Sequence, residues 1–206
     1  GDMPVADTTP EAVEAVRDSL EDQPRTANGL LSVLRAMLNV AAARPSRFGL
    51  TYNPAAKVPL FGQKDGVVPR QVFWEDKQET AFLKAARKLD WEMYVAYHLL
   101  VYTGQRPGDV QMMTVADYDG EKISLCQSKT AVRLWIPVHS DLKAVLDEHL
   151  AMRRAEGRIG GTILQRASGK AFTYDSFDRR WKAVIEAAGL KDLQRRDLRR
   201  TAVIRL

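Results

Sequence analysis

Apolar positions at helical spacing open the chain. Thr9-Pro10-Glu11 has the form of a helix start, with Thr9 as N-cap and Pro10 at the first helical position, and Val13, Val16 and Leu20 follow three and four residues apart. Pro24 separates this helix from a second one, expected over Thr26–Ala43, with Leu30, Leu31, Leu34, Met37, Leu38 and Ala41 on one face; Pro45 and Gly49 close it. Residues 51–72, TYNPAAKVPLFGQKDGVVPRQV, carry three prolines and two glycines and read as a linker between an all-helical N-terminal piece and a second domain.

Beyond residue 72 the pattern changes. Helices are expected over 75–88 and 91–103, the first with Phe82, Leu83, Ala86 and Leu89 on its apolar face, the second with Tyr94, His98, Leu99 and Tyr102. Gly104 breaks the second, and a short helix runs from Pro107 to Met113. The period then falls to two. Lys122–Cys126 and Val132–Val138 have strand character, the latter through Val132, Leu134, Ile136 and Val138, with the turn QSKTA between them. Leu142, Val145, Leu146 and Leu150 mark a helix over Asp141–Arg154. Residues 157–170 read as loop with one short strand at 162–165; Tyr174–Ala188 is a helix ended by Gly189, and a last helix starts near Arg195. The fold class is therefore mainly α with a small antiparallel β-sheet (α+β): a helical domain over 1–58, a linker over 59–72 and a second domain over 73–206.

Composition narrows the class. The 206 residues are 45% apolar and 28% charged, as in an ordinary soluble globular chain. No apolar run approaches a membrane span. The acidic, polar start GDMPVADTTPEA is unlike a secretory signal, and its Gly-Asp-Met is set aside as an expression remnant. One cysteine, Cys126, excludes an internal disulfide and a multi-cysteine metal site, and His98, His139 and His149 lack ligand spacing, so no metal and no cofactor is expected. A reducing, cytoplasmic setting is the default. The net charge is +5, and residues 176–206 alone, with nine basic residues against four acidic, account for that excess. Such a basic end suits a polyanion, most simply nucleic acid; a solvated helix surface accounts for the charge equally well.

Three segments bear on that choice: TGQRPGDV at 103–110, QSKT at 127–130 and RRDLRRT at 195–201. Singly each has a bland reading, as a helix cap, a solvated turn lysine and surface arginines. In this order they resemble the catalytic domain of tyrosine recombinases, the phage-integrase family. That family's T-G-x-R-x-x-E/D segment is matched by Thr103, Gly104, Arg106 and Asp109, its turn lysine by Lys129, and its H-D-L-R-[RH]-T segment by Arg196, Asp197, Leu198, Arg199, Arg200 and Thr201. Upstream, TANGLLSVLRAMLNVAAA followed by YNPAAKV is similar to the end of the family's helical, SAM-like core-binding domain, so the likeness covers nearly the whole chain.

The resemblance implies site-specific DNA recombination through a 3′-phosphotyrosine intermediate. Phosphoryl transfer accumulates negative charge on non-bridging oxygens, and guanidinium groups, always charged and fork-shaped, meet that need. By resemblance Arg106 and Arg199 hold the scissile phosphate and Lys129 protonates the departing 5′-oxygen. Asp109 either orients Arg106 or is a helix-surface carboxylate. Arg196 stands where the family has His; it donates to phosphate but shuttles no proton near neutral pH. The family's nucleophile is a tyrosine well beyond the second arginine, and none of Tyr52, Tyr94, Tyr97, Tyr102, Tyr118 and Tyr174 occupies that place; the chain is expected to be a truncated form, inactive without it. Arg25, Thr26 and Asn28 at the start of the second helix, with Arg195 and Arg200, are candidate DNA contacts, whereas Thr26 as an N-cap is the alternative at that position. The implied partner is double-stranded DNA at a specific recombination site, bound as a homotetramer, with the fragment a monomer, in the nucleoid of a bacterium or serving a phage. A DNA-binding relative without catalysis, or an enzyme like the type IB topoisomerases, shares these features. The YNPAAKV segment speaks against the second, and the joint presence of both arginines and the lysine against the first.

Overall fold

The computed structural model describes residues 4–205. Gly1, Asp2, Met3 and Leu206 lie outside the described residues, and with them the reading of the first three as an expression remnant. The chain divides into two compact units, Gly1–Arg70 and Gln71–Leu206.

In the first unit, α1 (Pro10–Asp18) begins as the Thr-Pro pair predicts: Thr9 Oγ1 accepts from the Ala12 N–H at 3.2 Å. Helix α2 (Pro24–Ala42) starts earlier than expected, because Pro24 is its first residue; a fixed φ and a missing N–H suit that position. Thr26 is therefore inside the helix and not its cap. Pro45 likewise opens a one-turn helix, α3 (Pro45–Phe48), which Gly49 ends in the left-handed conformation. Val13, Leu31, Leu38 and Ala41 pack with Leu50, Ala55 and Val58 in one core. Val16 and Met37 are exposed, since so few helices cover only a narrow stripe of each other.

Residues 59–68, expected to belong to a linker, are tied to these helices. Arg17 Nη1 donates to the Pro59 carbonyl at 2.7 Å. The Asn28 amide donates to the Phe61 carbonyl and accepts from the Phe61 N–H, each at 2.9 Å. The Arg25 guanidinium donates to the Val68 carbonyl. Proline and glycine keep this stretch out of α-helix and sheet apart from one 3-10 turn at Gln63–Asp65, and side chains satisfy part of its backbone.

The second unit contains α4 (Asp76–Leu89), α5 (Trp91–Thr103), α6 (Pro107–Met112), β1 (Lys122–Cys126), β2 (Arg133–Pro137), α7 (Ser140–Ala155), α8 (Tyr174–Ala187) and α9 (Asp197–Arg205). Helix α5 is central: α4, α6, α7, α8 and α9 all pack on it. It buries Met93, Val95, Ala96, Tyr97, Leu99 and Leu100 around its circumference, so it has no one-sided stripe to read. The strands pair antiparallel with Ile123 opposite Ile136 and Leu125 opposite Leu134, which puts these four on one face, and Ile123 and Leu125 of β1 join the core. Val132 and Val138 lie beyond the ladder. The strand expected at 162–165 is reduced to isolated bridges, Thr114 with Thr162 and Gln165 with Ala171. Buried Arg153 holds this loop by donating to the carbonyls of Gly160, Thr162 and Ile163 at 2.7–2.8 Å.

The two ends of the unit meet. Trp74 lies among Phe82, Tyr97 and Trp181, and its N–H donates to Thr201 Oγ1 of α9 at 2.9 Å. Arg205 pairs with Asp76 at 2.9 Å and Glu79 at 2.7 Å.

Candidate active site

Gly104 ends α5 with φ +60°, a conformation that glycine adopts without strain. The chain turns there and α6 restarts at Pro107, leaving Arg106 extended at its N-cap position. A Cβ placed on Gly104 would lie 3.7 Å from the Ala202 Cβ, so α9 passes close behind this turn. Arg106 and Arg199 are thereby carried on neighbouring elements at one end of α5.

Both arginines are partly covered. Arg106 Nη1 is buried and lies 3.7 Å from Asp109 Oδ2, an ionic approach too long for a hydrogen bond. Arg199 Nη1 is buried as well, and neither nitrogen has a hydrogen-bond partner. A buried unpaired donor costs about 1–3 kcal/mol, and a charged one more. Two such donors at one end of one helix leave hydrogen-bonding capacity suited to an anion.

Asp109, 6% exposed, is no helix-surface carboxylate. Its Oδ1 accepts from the Ser128 N–H at 3.0 Å and from Ser128 Oγ at 2.6 Å. One carboxylate thus faces Arg106 with one oxygen and holds the β1–β2 turn with the other. Lys129, next in the chain, is exposed at that turn. Ala131 closes the turn at φ +54°, its N–H donating to the Gln127 carbonyl at 2.9 Å. Arg196 is exposed and, with Pro107 and Gly108 at the start of α6, lines a groove of about 500 Å³. Arg106, Lys129, Arg196, Arg199 and Asp109 are thus carried by segments that pack or bond directly together. Ser128 and the glutamines Gln105 and Gln127 join them, unmarked beforehand because no charge or periodicity distinguishes them.

Three expected DNA contacts are occupied otherwise. Arg195, expected at the surface, is 8% exposed; it pairs with Asp178 and lies over the rings of Tyr174 at 4.7 Å and Phe177 at 5.5 Å. Burial of so long a cation follows from the acidic partner one helix away. Arg25 and Asn28 are the residues that hold positions 61–68. Thr26 and Arg200 are exposed. Among the described residues, no group of three or more His, Cys, Asp or Glu side chains is arranged to hold a metal ion, and no helix is long and apolar enough to cross a membrane.

No curated protein matches this chain. Among solved structures it is similar to a lambda integrase (75–356) dimer bound to a COC′ core site, at TM-score 0.80 and 21% identity over 99% of this chain and 75% of that one. A lambda integrase tetramer bound to a Holliday junction gives TM-score 0.81 and 23% identity over 99% and 61%. The Tn1549 transposon integrase (aa 82–397) in complex with circular intermediate DNA gives 0.74 and 16% over 100% and 75%. The chain thus spans between 61% and 75% of these relatives. These likenesses show the fold: mostly helical, with the small antiparallel sheet of the integrase catalytic domain. The family model described as phage integrase matches residues 73–206, well over half of the sequence, and the protein belongs to that family, the tyrosine recombinases.

Proposed function

We propose that the protein is a site-specific DNA recombinase that cleaves and rejoins strands through a 3′-phosphotyrosine. The observation that carries this reading is the pair of buried guanidinium nitrogens that make no hydrogen bond, Arg106 Nη1 and Arg199 Nη1. Each is a preorganised donor for a non-bridging phosphate oxygen, worth most when charge accumulates there. Arg196 adds a third donor from the groove edge and Lys129 delivers a proton to the departing 5′-oxygen. Asp109 positions Arg106 and, through Ser128, the lysine turn.

Three of the tyrosines are poor nucleophiles where they stand. Burial pushes the Tyr97 hydroxyl far up, and Tyr102 is pushed up to about 12 by burial and by its hydrogen bond to Asp141. Tyr118 is raised by burial and by its bond to Asp147. The attacking tyrosine is assigned to none of the six. The substrate in this reading is double-stranded DNA at a particular site, bound by a homotetramer like that of lambda integrase on a Holliday junction, in a bacterial or phage-infected cytoplasm. Residues 1–58 serve as the core-binding domain and 73–206 as the catalytic domain, with Thr26 and Arg200 as further DNA contacts.

The test is covalent attachment of the full-length protein to a nicked duplex. Arg106→Ala and Arg199→Ala should each reduce attachment by about 10²–10³-fold with duplex binding largely retained. Cleavage near the wild-type rate in either variant overturns the assignment. Lys129→Ala should slow cleavage and recover on a 5′-bridging phosphorothiolate, whose thiolate leaves without a proton; an unrescued loss means the lysine binds rather than protonates.

A further inference from the structure

Gln105 immediately precedes Arg106, and Gln127 stands two residues before Lys129; they are 6% and 9% exposed. A chain of hydrogen bonds joins them. Thr130 Oγ1 donates to Gln127 Oε1 at 2.8 Å, Gln127 Nε2 donates to Gln105 Oε1 at 2.7 Å, and Gln105 Nε2 donates to the Thr103 carbonyl at 3.1 Å. Thr103 Oγ1 then donates to the Leu99 carbonyl at 2.5 Å. The relay runs from the turn that carries Lys129 into the last turn of α5, where Arg106 is launched.

The hairpin does not need this relay in order to form. Its register is set by the paired strands and by buried Ile123. The turn itself has no apolar anchor, because Ser128, Lys129, Thr130 and Ala131 are all exposed. What fixes it against the arginine segment is polar: the Gln105–Gln127–Thr130 relay on one side and Ser128 on Asp109 on the other. An amide pair, unlike packed methyl groups, sets distance and direction together, since each bond weakens steeply off line.

We propose that Gln127 is a positioning residue for strand cleavage: together with Gln105 it sets where the Lys129 turn stands relative to Arg106. The proposal rests on the reading of Lys129 as the proton donor. Displacement of a reacting group by about 1 Å can cost on the order of 10²-fold in rate, so a residue that removes such slack affects chemistry without touching substrate.

Gln127→Met should slow cleavage of an ordinary nicked duplex by about 10–100-fold while duplex binding is unchanged. On the 5′-bridging phosphorothiolate the same variant should fall less than about threefold, because no proton is required there. Equal losses on both substrates, or no loss on either, overturn the proposal. Gln105→Met should behave likewise, and the double variant, which leaves neither amide without its mate, should be no slower than the slower single; additive losses also overturn it.

If Lys129→Ala itself is not rescued by the thiolate, the acid role fails, and the positioning claim is decided on the 206-residue chain alone. There, amide ¹⁵N relaxation should show Ser128–Ala131 becoming mobile in Gln127→Met while β1 and β2 stay as they were. A turn as rigid as in the wild type overturns the proposal whatever the lysine does.

Discussion

Glu92 lies inside the second unit, its carboxylate accepting from the Gln165 N–H at 3.1 Å and standing 3.9 Å from His149 Nε2. Burial pushes it from an ordinary 4.5 up to about 7, outweighing the Gln165 N–H and the charges of Arg180, Arg153 and Arg158. His149 is moved down, by burial first; its Nδ1 accepts from Trp91 Nε1 at 3.1 Å and its Nε2 faces the Ile163 carbonyl at 2.9 Å, the pattern of a neutral ring. The two groups act oppositely on stability. The folded state holds the Glu92 proton more tightly than the unfolded chain, so its contribution is full below 4.5 and is lost as pH rises through about 7. The His149 contribution is lost as pH falls below its ordinary 6.5. Glu92→Gln, which keeps an acceptor for Gln165, should therefore melt several degrees above the wild type at pH 8, at roughly 2–4 °C per kcal/mol, and close to the wild type at pH 5. Equal melting curves at pH 8 would show that this carboxylate carries no such cost.

At this same scale the sequence is least legible. Five arginines close the chain, and the fold gives them different work. Arg195 is spent on Asp178, seventeen residues away, and Arg205 on Asp76, 129 residues away. Arg199 keeps a buried nitrogen open, while Arg196 and Arg200 are exposed. Which arginine finds an acid depends on long-range packing, and local spacing is silent on it. Motif order, by contrast, singled out Arg106, Lys129 and Arg199 by resemblance to a family, and the fold carries the three on segments that pack or bond together.

Most element boundaries with a local cause were legible, save at Pro24 and Pro45, which open helices where breaks were expected. Thr9 caps α1, Asp90 caps α5 by accepting from the Met93 N–H, and Gly104 stops α5. Burial on all sides of α5 left no single face to find, and a loop pinned by Arg153 replaced the expected strand at 162–165. The stretch 59–68 shows the same gap: proline and glycine reveal irregular backbone and leave open whether it is loose. Asn28→Ala removes both bonds to Phe61 and should loosen the 59–68 segment against α2 by about 1–3 kcal/mol. Amide exchange at Phe61 should rise while the α2 amides beyond Asn28 keep theirs. Unchanged exchange at Phe61 would mean that its neighbours, not Asn28, hold the segment.

For the whole molecule, charge is the governing quantity. A net charge of +5 concentrated toward the C-terminal third favours a polyanion by release of its counterions. Duplex affinity should fall by roughly 10³-fold between about 50 and 200 mM salt, and Arg196→Ala should lower the slope of log affinity against log salt by about one. A slope near zero would exclude phosphate-dominated binding. Binding of this kind needs no catalysis, so it tests the DNA partner separately from the chemistry.

The bond from the Trp74 N–H to Thr201 Oγ1 spans 127 positions. On a ribosome, Trp74 emerges long before Thr201, and until α9 arrives the tryptophan lacks that partner while Arg106 waits without Arg199. The pairing of the two arginines is therefore absent until α9 has been made. A growing chain can carry the first arginine and the lysine turn and still be unable to hold a DNA strand for breakage; that competence waits for α9, as a property of order in time.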